Sequence, residues 1–121
     1  MHPKVMQNLP IYEQGELSFQ SLNDLIGTSN EITAEILGVS EGTIRSKNIS
    51  HATLRKSQIL IHILNMLWEL TGGDAKQVKR WLYEPRIEWK GTSPMDLLTH
   101  QKAEVVAKYL EGLLDGEVLG S

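Results

Sequence analysis

Apolar and polar positions repeat with a helical period along most of this chain, and the longest repeat centres on residues 53–70, TLRKSQILIHILNMLWEL. Leu54, Ile59, Leu60, Ile61, Ile63, Leu64, Met66, Leu67, Trp68 and Leu70 are interrupted only by a narrow polar stripe of Gln58, His62, Asn65 and Glu69. Steps of four, three and four residues place that stripe on one line of a helix. A surface helix needs an apolar face only about 100° wide. The pattern therefore predicts a central helix covered on most sides and stopped at Gly72-Gly73. So much apolar surface in so short a chain also predicts a homodimer seam. The uninterrupted apolar runs fall far short of the ~20 residues a bilayer requires, and Arg55 and Lys56 occupy the segment's first turn, so no membrane span is expected.

The flanking sequence predicts shorter elements. Residues 1–16, with Pro3, Pro10 and Gly15, lack periodicity and read as an arm with a loose tail. Leu17, Phe19, Leu22, Leu25 and Ile26 share one helix face that ends at Gly27. Ser29 or Asn30 caps a helix bearing Ile32, Ala34, Ile36 and Leu37; Gly38 follows, and Ser40 caps a second short helix with Ile44 inward. Beyond Gly73, Asp74 caps a helix with Gln77 at the capping-box position and Ala75, Val78, Trp81 and Leu82 on its apolar face, ended by Pro85. Ser93-Pro94 with Asp96 starts another helix, in which Met95, Leu97 and Leu98 pack inward. Thr99 caps the last helix, whose face is Val105, Val106, Tyr109, Leu110, Leu113 and Leu114, with Gly116 ending it. No strand is predicted. The fold class is all-α: an arm (1–16), a helix-turn-helix region (17–52), and a central helix with a helical C-terminal region (53–121).

At 121 residues the chain is one domain, or two small subdomains sharing a core. The absence of cysteine excludes disulfides, a Cys-ligated zinc site and a thiol nucleophile, and suits a reducing cytoplasm. Met1 to Lys4 are followed by no apolar stretch of the kind a secretory leader carries. His2, His51, His62 and His100 lack metal-ligand spacing, and neither a glycine-rich phosphate loop nor a Ser-His-Asp arrangement is visible. An enzyme, a cofactor and a metal are therefore not expected. The net charge of −3 is unevenly distributed: residues 1–40 carry −4, residues 41–62 carry +3, and residues 91–121 carry −3. A basic block between acidic ones is compatible with phosphate contact, because binding depends on charge at the contact face.

Ala34, Gly38, Val39 and Ile44 have the spacing of a helix-turn-helix: a small residue at the helix crossing, glycine at the turn, and apolar residues filling the junction. The stretch ILGVSEGTI resembles the bacterial Xre-type repressor motif. Its second helix would present Ser40, Glu41, Thr43, Arg45, Ser46 and Lys47 to operator DNA, with the two cations reaching base edges or phosphates. An ordinary solvated face is the alternative for Arg45 and Lys47.

Residues 72–98, GGDAKQVKRWLYEPRIEWKGTSPMDLL, together with the amphipathic helix after them, resemble the toxin-binding domain of the Xre/MbcA/ParS antitoxin family. The Gly-Asp helix start, Trp81-Leu82, Pro85, Gly91, Ser93-Pro94 and Leu97-Leu98 carry the likeness. Arg86 stands where the family usually has Asn, and Trp89-Lys90 where it often has Leu-Gly. The resemblance implies a dimeric cytoplasmic antitoxin that neutralises a RES-domain, NAD-consuming toxin and represses its own promoter. It implies toxin contacts at Arg86, Trp89 and Lys90, and at Glu117, Val118 and Leu119 near the chain end. Two rivals remain open: a stand-alone helix-turn-helix regulator dimerised by its C-terminal helices, and an interaction module that does not bind DNA.

Overall fold

The computed structural model describes residues 8–116, and it is an all-α protein. Its helices are α1 (Phe19–Ile26), α2 (Asn30–Leu37), α3 (Glu41–Arg45), α4 (His51–Thr71), α5 (Ala75–Tyr83), α6 (Pro94–Thr99) and α7 (Ala103–Leu114), with a 3-10 turn at Ile87–Trp89 between α5 and α6. The local signals act as their chemistry requires. Ser29, Ser40, Ser50, Asp74 and Ser93 each accept a backbone N–H of the following first turn, which satisfies donors a helix start leaves unpaired. Ser93 and Asp96 form a reciprocal capping box behind Pro94.

The central helix is central in fact. Leu60, Ile63 and Leu64 are wholly buried, and one hydrophobic cluster runs from Leu9 to Leu110. α4 packs on α7, α5 and α2, α1 packs on α5, and α6 touches α5, α7 and α2. The two halves of the chain therefore share a single core. The polar stripe of Gln58, His62, Asn65 and Glu69 faces solvent, as its spacing requires. No helix of the described residues is long and apolar enough to cross a membrane.

Several expectations are corrected. The arm is not loose over the part described: Leu9 and Ile11 are core residues, and Ile11 C=O accepts the Ser18 N–H at 2.8 Å. Beyond them lies a small antiparallel hairpin, β1 (Tyr12–Glu13) and β2 (Glu16–Leu17), which the 16/17 boundary would cut. Gln14 and Gly15 both have positive φ (52° and 82°), as a tight two-residue hairpin turn demands. Two-residue strands carry too little alternation to be read from sequence, and Leu17 belongs to β2, not to the helix. α4 begins at His51 rather than Thr53. Gln77 donates its side-chain amide to the Asp74 carboxylate instead of closing a capping box, and the Asp74 N–H is taken by Thr71 Oγ1. Thr99 ends α6 and does not cap α7, whose cap position is Lys102 without a side-chain bond. Ala75 is exposed, not on an apolar face.

The expected surplus of apolar surface on α4 is smaller than its composition suggests. Leu60, Ile63, Leu64, Met66, Leu67 and Trp68 are buried within the chain, Leu54 and Ile61 are half-buried, and only Ile59 and Leu70 are exposed. The core also holds polar groups. Asn23, buried on α1, donates to Asn30 at 2.7 Å and accepts from the buried Thr33 hydroxyl, so the α1–α2 crossing is pinned by side-chain hydrogen bonds.

Candidate functional sites

α2 and the short α3 are joined by a tight turn at Gly38 and pack on one another. Gly38 adopts φ 72°, and its N–H and that of Val39 return to Ala34 C=O at 2.8 and 3.0 Å. Gln101, at the α6–α7 corner, donates its side-chain amide to the carbonyls of Glu35 and Ile36, and Lys56 approaches the Gly38 carbonyl at 3.5 Å. The turn is thus braced from the other half of the chain. Ile44 is buried and anchors α3.

α3 is only five residues long; of the expected DNA-facing residues it carries Glu41, Thr43 and Arg45, with Ser40 and Ser46 as its caps and Lys47 beyond. They are not equally free. Ser40 and Thr43 are committed to capping, with their hydroxyls 2.8 Å apart and Thr43 N–H on Ser40 Oγ. Ser46 Oγ donates to Asn48 C=O. Arg45 is held by Glu41 one turn back at 2.7 Å, an exposed i,i+4 pair. Lys47 lies past the end of α3 and lines a cleft with Glu13 and Glu16 of the hairpin. Of the six residues, Lys47 is the cation without an ion pair among the described residues.

The second site is the connection from Pro85 to Thr92. Arg86 N–H donates to Thr92 C=O, and Arg86 C=O accepts from Trp89 and Gly91, while Lys90 supplies the left-handed residue (φ 55°). This loop is closed on itself by backbone bonds, and the Arg86 side chain then fastens it to the bundle. The guanidinium lies 5.3 Å from the Trp81 ring, 6.0 Å from Trp89 and 5.0 Å from Tyr109. It donates to Glu88 at 2.9 Å and to the Tyr109 hydroxyl at 2.8 Å, and Tyr109 donates in turn to Glu88 at 2.6 Å. Trp89 stands edge-on to both Trp81 and Tyr109, and Trp81 stacks on Tyr109.

The electrostatics follow from those contacts. The hydrogen bond from Tyr109, a backbone N–H and the Arg86 guanidinium hold the Glu88 carboxyl down to about 2. Burial pulls on the Arg86 charge, but Glu88 and Tyr109 outweigh it and raise its pKa. The acceptor Glu88, followed by burial, raises that of the Tyr109 hydroxyl. The cluster is therefore a closed ionic and aromatic unit at neutral pH.

The structure brings Arg86 and Trp89 together and leaves Lys90 exposed beside them. Glu117, Val118 and Leu119 lie outside the described residues. Sequence reasoning missed Trp81 and Tyr109 as partners of Arg86, and it missed Ile87. Ile87 is 94% exposed on the 3-10 turn, a large apolar side chain displayed from a loop held by backbone bonds. The signal that was available is Arg86 and Glu88 bracketing an isoleucine between two tryptophans.

Among known proteins, no family model and no curated protein matches the chain.

Proposed function

We propose that this chain is the antitoxin of a type II toxin–antitoxin pair. In this reading it acts as a homodimer without catalysis of its own, neutralises a RES-type, NAD-consuming toxin by direct binding, and represses its own promoter through α2 and α3. The observation that supports a partner-binding role most directly is the partly buried cluster of Trp81, Arg86, Trp89 and Tyr109 with the exposed Ile87 beside it. Tryptophan, tyrosine and arginine are the residue types that dominate binding energy at protein interfaces. A loop already closed by its own hydrogen bonds also loses little freedom on docking. The likeness of residues 72–98 to the antitoxin family supplies the toxin class.

The test is co-expression with the RES-type protein encoded by an adjoining reading frame. The expected result is restored growth, a stable complex on purification, and retention of the gene's own upstream DNA. Growth inhibition that this chain does not relieve, with no complex formed, would sink the antitoxin reading.

A second reading is favoured by one observation. Glu41 neutralises Arg45 on the short α3, and Glu13 and Glu16 line the cleft that Lys47 shares. An interaction module that does not bind DNA fits those contacts. It predicts a complex with the partner and no salt-dependent binding to the upstream region.

A further inference from the structure

The exposed face of α5 carries Lys76, Lys79, Arg80 and Tyr83, at spacings of three, four and seven residues from the first, which is one line of a helix. None of the three cations has a carboxylate within ion-pair distance among the described residues. The arrangement is locally unfavourable. Lys76 and Arg80 repel one another across one turn, and Lys76 sits in the first turn, against the positive end of the helix dipole. Beside this stripe lies a groove of about 290 Å³ between α4, α5 and α7. Its apolar lining comes from Leu67, Leu70, Trp81 and Leu113, and its charged lining from Arg80 and Glu84. Leu70 and Leu113 are 42% and 44% exposed although they neighbour a well-packed core.

We infer that this groove and the α5 stripe together form a docking site for an acidic amphipathic helix of a protein partner. Its carboxylates would lie along Lys76, Lys79 and Arg80, and its apolar side chains would enter between Leu70, Trp81 and Leu113. Charge complementarity selects this occupant: three cations on one helix line, none in an ion pair among the described residues, favour an anionic partner. Two features disfavour single-stranded nucleic acid. The groove offers a single aromatic ring rather than a platform for successive bases, and that ring, Trp81, is already stacked on Tyr109 at 6.3 Å and 25°. The inference rests on the reading of the chain as a partner-binding protein and places part of that contact on α5, beside the Arg86 cluster.

The experiment uses the full chain and a labelled synthetic helical peptide with Glu at i, i+3 and i+4 alongside a leucine stripe, read by fluorescence anisotropy. The controls are the same peptide with Lys in place of Glu, and an oligothymidylate single strand. The Glu peptide should bind at least about tenfold more tightly than the Lys peptide, and binding should weaken with salt. The double variant Lys76→Glu with Arg80→Glu should lose about tenfold or more, and Leu113→Ser should also weaken binding. Lys76→Glu places an acid in the first turn, where the dipole favours it, whereas Arg80→Glu removes the basic residue of the last turn, so the single variant Lys76→Glu is measured beside the double one and should itself weaken binding several-fold. Equal binding of the two peptides, unaffected variants, or tighter binding of the oligonucleotide would each overturn the inference. A RES-type protein that co-purifies equally with parent and double variant would overturn the groove and leave the antitoxin reading standing. Peptide binding that behaves as expected, with no toxin complex, would do the reverse.

Discussion

Replacing Arg86 by alanine tests the most densely connected contact in the molecule. The guanidinium loses a charged hydrogen bond to Tyr109 at 2.8 Å and its approach to three aromatic rings at 5.0, 5.3 and 6.0 Å. A hydrogen bond to a charged group contributes about 1.5–3 kcal/mol, and each cation–π contact at a partly exposed site about 0.5–1 kcal/mol. These terms share one group and do not add, and a side chain one-fifth exposed is partly screened. The bond to Glu88, whose carboxylate is open to solvent, is left out of the sum. A net loss of about 2–3 kcal/mol results, a large share of the ~5–15 kcal/mol that stabilises a small domain. With a urea slope of about 1–3 kcal/mol per molar, the midpoint should fall by about 1–2 M. Equilibrium unfolding followed by tryptophan fluorescence measures this directly, and the near-ultraviolet dichroism of Trp81, Trp89 and Tyr109 should diminish even in the folded variant. Arg86→Lys keeps the charge but not the planar fork, so it should recover less than half of the loss. A destabilisation by Arg86→Ala of under about 0.5 kcal/mol, the range of an unremarkable surface change, would refute the account. Full recovery by lysine would refute the part that depends on guanidinium geometry.

Three further outcomes follow from the same structure. Because the Glu88 carboxyl is lowered in the folded chain from 4.5 to about 2, its contribution to stability is fully present above pH 4.5 and is lost as pH falls through about 2; acid titration of Glu88→Gln should lack that component of the parent's acid destabilisation. Gly38→Ala should cost about 1–2 kcal/mol through its left-handed φ of 72° rather than through crowding, since the nearest atom to a new Cβ is Gln101 Oε1 at 3.6 Å; thermal unfolding that shows no change would rule out strain at this turn. If α3 reads DNA, Glu41→Gln should release Arg45 and strengthen binding to the upstream region several-fold, whereas Arg45→Ala should weaken it by about 1–3 kcal/mol; a gel-shift titration in which neither variant differs from the parent would remove α3 as the reading element.

What was legible in the sequence is what local chemistry decides. Ser29, Ser40, Asp74 and Ser93 mark helix starts because a side-chain oxygen a few atoms from the backbone competes for the same N–H groups wherever it occurs. Gly27, Gly38 and Gly72 mark helix ends because each stop needs a positive φ. The exposed stripe on α4 was legible because only a helix makes steps of four, three and four coincide. The hairpin was not, since its strands hold two residues each and the burial of Leu9 and Ile11 depends on contacts far along the chain. The Arg86 cluster was partly visible: Arg86 and Trp89 stood out as departures from the family pattern, but Trp81 and Tyr109 approach from separate helices. Spacing along a chain carries no information about side chains that meet through tertiary packing.

The placement of Gln101 joins the two halves of the chain at a second point outside the core. A helix ends with carbonyls that lack intrahelical partners, and at the end of α2 the carbonyls of Glu35 and Ile36 are met by the Gln101 side chain. Gln101 itself is held in a left-handed conformation (φ 61°) between α6 and α7. The corner it occupies is set at one end by the Ser93–Asp96 capping box of α6. At the other it leads into α7, which carries Tyr109 and therefore the aromatic cluster. A displacement of α7 at Tyr109 or Leu113 by a partner cannot be absorbed by a flexible linker, because α6 and α7 are joined by only three residues. It must be taken up where α7 packs on α4 and α6. The same side-chain bonds that close the end of α2 thus tie it to the α6–α7 corner, so the two halves of the chain are joined there as well as through the core.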